Sequence, residues 1–163
     1  MSVSSAVLEV IGRFIFYLPS KELLPYAAKL FPILLRKLSD PDLRVSKNVP
    51  KTIYLVWEAS GDFLTRRIFN EFFEFLTMFF KKNSKFQADS FSMKYKTMAE
   101  FLRCTKIFFQ NLPLDSGPIK KLLGLVESLQ LLKFRNLPEL EALKIETLKI
   151  VENNWIGYAE RCV

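Results

Sequence analysis

The residue types that usually perform catalysis are scarce in this sequence. The chain of 163 residues contains no histidine, which is the commonest general base and metal ligand in proteins. Nucleophiles that depend on a histidine partner are therefore excluded. The five glycines stand apart from one another, so no glycine-rich phosphate-binding loop is present. We expect a protein that is not an enzyme and that has no catalytic residue, cofactor or metal.

The remaining candidates for chemistry have structural explanations. Asp40 and Asp42 flank Pro41, and at a boundary between helices they are better explained as helix caps than as an acidic site. Cys104 and Cys162 lack a CxxC spacing, which predicts reduced thiols in an intracellular protein. The expected location is the cytoplasm, with the nucleus as an additional one.

The formal net charge of +7 raises the question of nucleic-acid binding. Most basic residues have acidic neighbours along the chain, which is typical of solvated helix faces rather than of a groove that follows phosphates. A denser basic set consists of Lys81, Lys82, Lys85, Lys94 and Lys96. A basic, nucleic-acid-associated helical protein is a less favoured alternative. No segment approaches the run of about 20 apolar residues of a membrane span, so no membrane partner is expected.

Apolar residues recur at intervals of three and four along nearly the whole chain, which predicts helices. Proline, glycine and aspartate mark where the helices stop. Asp40 is expected to cap the third helix, and Pro41 to occupy its first position. The predicted helices are Val3–Tyr17, Ser20–Leu38, Pro41–Ala59, Phe63–Lys82, Phe91–Leu112, Ile119–Phe134 and Pro138–Asn153.

These helices pair into hairpins that span Ser20–Ala59, Asp62–Asn111 and Ser116–Asn153. The spacing of about 40 to 50 residues is that of HEAT and armadillo arrays. We therefore predict an all-α, HEAT-like or armadillo-like superhelix, with about three hairpins and an N-terminal helix in a single domain, residues 1–163. A tetratricopeptide (TPR) array is not expected, and a plain helical bundle is the alternative.

Four large apolar residues are candidates for partner binding. Trp155, Ile156 and Tyr158 follow the last predicted helix in a short terminal segment, where they either dock on another protein or fold back as a cap. Trp57 lies near the end of a helix and is an interface anchor or a core residue. The phenylalanine-rich helix Phe63–Lys82 is expected to be buried between repeats, with a partner groove as the alternative.

Several stretches resemble the C-terminal region of the Tel-two-interacting protein one family, a HEAT-repeat subunit of the Triple T complex. The resemblance covers most of the chain from Ser20 onward. It depends on helical pattern and on punctuating residues in Leu24-Pro25, Leu30–Asp40, Gly61–Arg67, Ser92–Lys96 and Pro138–Asn154.

The resemblance implies a co-chaperone scaffold that binds the Tel-two and Tel-two-interacting-protein-two subunits. Such a scaffold supports the maturation and stability of phosphatidylinositol-3-kinase-like kinases together with the ninety-kilodalton heat-shock chaperone. Because members of the family are much longer, the chain is expected to be a fragment or a truncated relative. The alternative within the same class is a generic helical-repeat adaptor for transport or trafficking.

Overall fold

Helices make up the regular structure of the protein in the computed structural model, which describes residues 29–30, 32–60, 65–89, 92–111 and 119–161. No strand occurs in those ranges. The all-α repeat fold predicted from the apolar periodicity is confirmed. The helices with defined bounds are α1 (Leu43–Ser60), α2 (Thr65–Lys82), α3 (Met93–Asn111), α4 (Ile119–Leu131) and α5 (Pro138–Arg161).

The chain forms two compact units, Met1–Ile68 and Phe69–Val163, and each is described by itself. The expectation of a single domain stays a prediction. The predicted helix Val3–Tyr17 and the proposed helix start at Ser20 lie outside the described residues. The same holds for the breaks between helices that the sequence predicts within residues 61–64 and 112–118.

In the first unit, the turn before α1 is built by two aspartates in succession. Asp40 Oδ1 accepts a hydrogen bond from the Asp42 N–H at 2.9 Å, and Asp42 Oδ1 accepts one from the Arg44 N–H at 3.0 Å. Asp42 also supplies the first carbonyl of the helix, to the Val45 N–H at 3.0 Å. The N-cap of α1 is therefore Asp42, and the prediction that Asp40 caps a helix starting at Pro41 is wrong. The reason is that Asp40 closes a turn that delays the helix by two residues.

The buried face of α1 follows the predicted spacing. Val45, Val49 and Ile53 are buried, and the helix continues through Pro50. Upstream of the aspartate turn, residues 32–37 are helical, and Leu34 and Leu38 are buried as predicted.

In the second unit, α2 and α3 face each other through phenylalanine rings. The rings of Phe79 and Phe101 stack with centroids 3.5 Å apart and planes inclined by 9°. Tilted contacts join Phe72 to Phe108 at 4.3 Å and Phe73 to Phe109 at 5.3 Å. The described side chains Phe72, Phe73, Leu76 and Phe80 of this phenylalanine-rich helix are all buried. The ring contacts above are with α3 of the same hairpin, so the expected burial between repeats stays a prediction.

Helix α5 packs against α3 and bonds to its backbone. The Asn154 amide donates to the Phe109 carbonyl at 2.9 Å, and the Thr147 hydroxyl lies 3.4 Å from the Leu102 carbonyl. Phe109 is in the last turn of α3, where carbonyl groups lack a partner within the helix. The sequence predicts that the helix ends at Asn153, but it continues to Arg161, and Asn154, just past the predicted end, is held on α3 by its bond to Phe109.

Helix α4 packs against α5 and ends earlier than predicted, at Leu131 rather than Phe134. The Lys144 ammonium group of α5 donates to the Leu132 carbonyl at 2.7 Å, which satisfies a backbone acceptor just beyond the helix end. Lys121 of α4 forms an ion pair with Glu74 of α2 at 2.8 Å. The hairpins α2–α3 and α4–α5 are thus stacked in chain order, as predicted for a repeat.

The aspartate turn predicts that Asp42→Ala destabilises the protein by about 0.5–2 kcal/mol, because the Arg44 N–H loses its acceptor. Urea denaturation followed by circular dichroism measures the change. Asp42→Asn keeps an acceptor oxygen and is the control. An Asp42→Ala variant as stable as the Asn variant would show that Asp42 is not the cap.

The ring stack predicts a large cost for Phe101→Ala, of about 3–5 kcal/mol, because the substitution leaves a cavity between α2 and α3. The matched control is Met78→Ala on α2, where the side chain is 71% exposed and the expected change is within about 0.5 kcal/mol. Equal effects of the two substitutions on the free energy of unfolding would contradict the role assigned to the stack.

Candidate protein-binding groove

Two loops of the second unit lie side by side and enclose an open groove. One loop joins α2 to α3 and the other joins α4 to α5. Because the helices of each hairpin run in opposite directions, both loops are at the same end of the unit. The groove is lined by Ser84, Lys85, Phe86, Gln87, Ala88, Asp89, Ser92, Tyr95, Lys133, Arg135, Asn136, Leu137, Pro138 and Glu139.

Local sequence signals shape both walls of the groove. The Ser92 hydroxyl accepts a hydrogen bond from the Tyr95 N–H at 3.2 Å, which caps the start of α3. In the other loop, Asn136 has a left-handed backbone with φ of 61°, a conformation that asparagine tolerates well. Pro138 then begins α5 at a position where its missing N–H costs nothing. The rings of Phe86 and Phe134 meet edge to face at 5.4 Å and hold the loops together.

A side-chain hydrogen bond ties α3 to α5 inside the groove. The Tyr95 hydroxyl donates to Glu139 Oε2 at 3.3 Å. Burial raises the pKa of Tyr95 above its ordinary value of 10.0, and the negative charge and the hydrogen bond of Glu139 raise this pKa further. Each effect disfavours the phenolate, so the hydroxyl stays protonated and keeps donating to Glu139 over the neutral pH range.

The groove carries an excess of unpaired positive charge. Lys85, Lys133 and Arg135 line it and are exposed. None of the three forms an ion pair or a side-chain hydrogen bond with any residue that the structure describes. The acidic lining residues are Asp89 and Glu139. The neighbouring turns of α2 and α3 add further exposed lysines, at Lys81, Lys82 and Lys94.

Only half of this basic end is visible as a cluster in the sequence. The dense set from Lys81 to Lys96 was interpreted as a solvated surface. Lys133 and Arg135 were not connected with it, because nearly forty residues separate them along the chain. No local signal predicts that these two basic groups lie at the same end of the unit, because their proximity follows from the stacking of the two hairpins.

The predicted interface residues lie on helices, and the helical register places them in different rows along each helix. In α5 the buried row includes Thr147 and Val151, and positions 155 and 158 continue it at helical spacing. Position 156 instead continues the exposed row of Ile145, Lys149 and Asn153. The side chains of Trp155, Ile156 and Tyr158 lie outside the described part, so their role in partner binding stays a prediction.

Trp57 lies on α1, in the first unit. Its position follows Val45, Val49 and Ile53 at steps of four, so it continues a row that is buried. The side chain itself lies outside the described part, and the anchor role remains untested.

Cys104 is a further candidate for chemistry in the described ranges. Burial raises the pKa of the Cys104 thiol well above its ordinary range, and nearby Glu100 adds to the effect. The buried thiol is therefore a poor nucleophile. Within the described residues, no group of three or more acidic or cysteine side chains is placed to hold a metal ion. None of the described helices is both long and apolar enough to cross a membrane.

The stacked hairpins define an α-helical repeat protein, a class that presents extended surfaces for binding. Residues 1–150 match the family described as TTI1 C-terminal TPR domain, and the chain belongs to this family. The resemblance drawn from the sequence is thereby confirmed. No curated protein and no solved structure matches the chain.

The family description places the repeat in the TPR class, contrary to our expectation against that class. Both classes are built from stacked αα hairpins, and they differ mainly in the length of the repeat. A TPR repeat has about 34 residues, whereas α2, α3 and α5 have 18, 19 and 24 residues. The length of these helices is what favoured the longer HEAT period in the sequence.

The Tyr95–Glu139 contact predicts a change in the titration of one tyrosine. Glu139→Gln keeps a hydrogen-bond acceptor but removes the negative charge, so the pKa of Tyr95 should fall towards 10.0 while burial still holds it above that value. Ultraviolet difference titration measures the shift, with Tyr95→Phe to identify the signal. Glu127→Gln, at an exposed position on α4, is the charge-matched control and should leave the titration unchanged.

The same raised pKa has a consequence for stability. Because the folded state holds the Tyr95 proton more tightly than the unfolded state, this stabilisation is present below pH 10.0, the ordinary pKa of tyrosine, and is lost as pH rises through the folded pKa. Tyr95→Phe should remove this part of the alkaline decline in stability. An identical decline in the wild type and the variant would contradict the assignment.

Proposed function

We propose that this protein is a non-catalytic scaffold subunit of a Triple T-type co-chaperone complex. Its direct partners in this proposal are the Tel-two and Tel-two-interacting-protein-two subunits. Through them it supports the maturation of phosphatidylinositol-3-kinase-like kinases with the ninety-kilodalton heat-shock chaperone. The cytoplasm, together with the nucleus, is the proposed location.

Membership of the TTI1 C-terminal family is the observation that carries this proposal. The stacked hairpins support it, because repeat arrays present long surfaces suited to other proteins. Large apolar side chains are exposed on four helices of the second unit, namely Met78 on α2, Met93 on α3, Leu123 and Leu131 on α4, and Ile145 on α5. Such side chains can supply apolar contacts in a protein interface.

The register of α5 divides the predicted interface residues into two roles. Position 156 shares the exposed row of Ile145, so we propose that Ile156 contacts a partner subunit. Positions 155 and 158 continue the row of Thr147 and Val151. We therefore propose that Trp155 and Tyr158 extend the packed face of α5. In this role they hold the end of the helix in place, and with it the residues that contact the partner.

The test uses the full chain with purified Tel-two and Tel-two-interacting-protein-two subunits from the same organism. Binding is measured by biolayer interferometry, and melting by circular dichroism on the same preparations. Ile156→Glu is expected to weaken binding by at least about tenfold without changing the melting temperature, because it places a charge in an apolar contact. Trp155→Ala combined with Tyr158→Ala is expected to lower the melting temperature as well.

The control is Gln110→Glu, which adds the same charge at an exposed position on α3. It is expected to bind as the wild type does. The absence of binding by the wild-type chain to either subunit would contradict the proposed complex. Full binding by Ile156→Glu would leave the complex in place but contradict the interface on α5.

A further inference from the structure

The groove between the two loops of the second unit has features that the scaffold function does not explain. We propose that it binds an extended, acidic segment of a partner protein. The groove joins unpaired positive charge, unused main-chain hydrogen-bonding groups and an apolar floor. This proposal goes beyond membership of a complex, since it assigns a ligand class to one surface.

The charge of the groove selects an anionic ligand. Lys85 projects from one loop, and Lys133 and Arg135 from the other, so an occupant would meet positive charge on both sides. These three side chains have no ion-pair partner in the part of the chain that the structure describes. Exposed Lys81, Lys82 and Lys94 lie in the adjoining helix turns and raise the positive potential along the approach.

The main chain of the first loop is free to bond to a ligand. Phe86, Gln87 and Ala88 are in irregular structure. Their N–H and C=O groups form no hydrogen bond with any described residue, whereas the Asp89 carbonyl is used by Ser92. An extended peptide carries N–H and C=O groups along its whole length that can bond to these free groups, as peptides do at exposed backbone edges in peptide recognition.

The floor of the groove fits peptide side chains. Half-buried Phe86, Ala88 and Leu137 contribute apolar surface, and Pro138 adds an exposed ring. A peptide that places acidic residues towards the basic walls and an apolar residue on this floor would match both the charge and the apolar surface of the groove.

A nucleic acid fits the same surface less well. Asp89 and Glu139 also line the groove, and they would repel a backbone with a phosphate at every nucleotide. The aromatic rings are engaged, since Phe86 packs edge to face on Phe134 and Tyr95 is bonded to Glu139. Stacking of bases on free aromatic faces, which drives single-strand binding, is therefore not available here. A peptide, unlike a nucleic acid, can carry an uncharged residue at each position that faces Asp89 or Glu139.

The experiment uses the full chain and a fluorescent peptide of about ten residues, in which Asp and Glu surround a central Leu. Fluorescence anisotropy at moderate salt measures its affinity. A peptide with Asn and Gln in place of the acids should bind at least about tenfold more weakly. The acidic peptide with N-methylated backbone amides should also lose affinity, because main-chain pairing is blocked.

The groove variant carries Lys85→Glu, Lys133→Glu and Arg135→Glu. Its matched control carries Lys47→Glu, Lys51→Glu and Lys149→Glu, which make the same change in net charge at exposed positions on α1 and α5. The groove variant should lose at least about tenfold in affinity for the acidic peptide, and the control should lose less than about threefold. Circular dichroism melting of both variants checks that they fold as the wild type does.

Three results would overturn the proposal. The first is that the wild-type chain does not bind the acidic peptide, or binds its neutral counterpart equally well. The second is that the groove variant and the control lose affinity to the same extent, which would indicate net charge alone. The third is tighter binding of single-stranded DNA or of vesicles containing phosphatidylserine, with the same dependence on the groove residues. None of these measurements uses a Triple T subunit, so their failure is distinct from failure of the proposed function.

Discussion

The packing of phenylalanine rings between α2 and α3 is the interaction on which the second unit depends. The near-parallel stack of Phe79 on Phe101 is flanked by the tilted pairs Phe72–Phe108 and Phe73–Phe109. Aromatic rings bury a large apolar area in a defined geometry, so this layer sets both the separation and the register of the two helices. A chain with sixteen phenylalanines can devote this many to one helix pair.

Helix α3 then transmits that register to the rest of the unit. Its carbonyl groups accept hydrogen bonds from Thr147 and Asn154 of α5, which fixes how far α5 is shifted along it. Lys144 of α5 in turn reaches the carbonyl just beyond α4. Contacts with α3 thus position α5, and contacts with α5 position α4. The loops at the ends of these helices are brought together as a result. The groove, with its basic walls and the Tyr95–Glu139 bond, is a product of this sequence of contacts.

Several details of the fold can be predicted from the sequence, and the predictions that were wrong have identifiable causes. The buried row of Val45, Val49 and Ile53 followed directly from helical spacing. The cap of α1 was misplaced because Asp40 and Asp42 are both good cap residues, and only their hydrogen bonds show that the first makes a turn and the second begins the helix. The end of α5 was placed too early because the contact of Asn154 with Phe109 joins residues that are distant in sequence.

The sequence by itself determined the class of this protein. Its apolar period is a local property of the chain, the absence of histidine is a property of composition, and both are independent of how helices pack. Only the tertiary structure decided which surfaces exist. Lys85 lines the same groove as Lys133 and Arg135, and Tyr95 bonds to Glu139, because two hairpins stack in register. That register is set by side-chain shape and by hydrogen bonds between helices, to which no short stretch of sequence gives access.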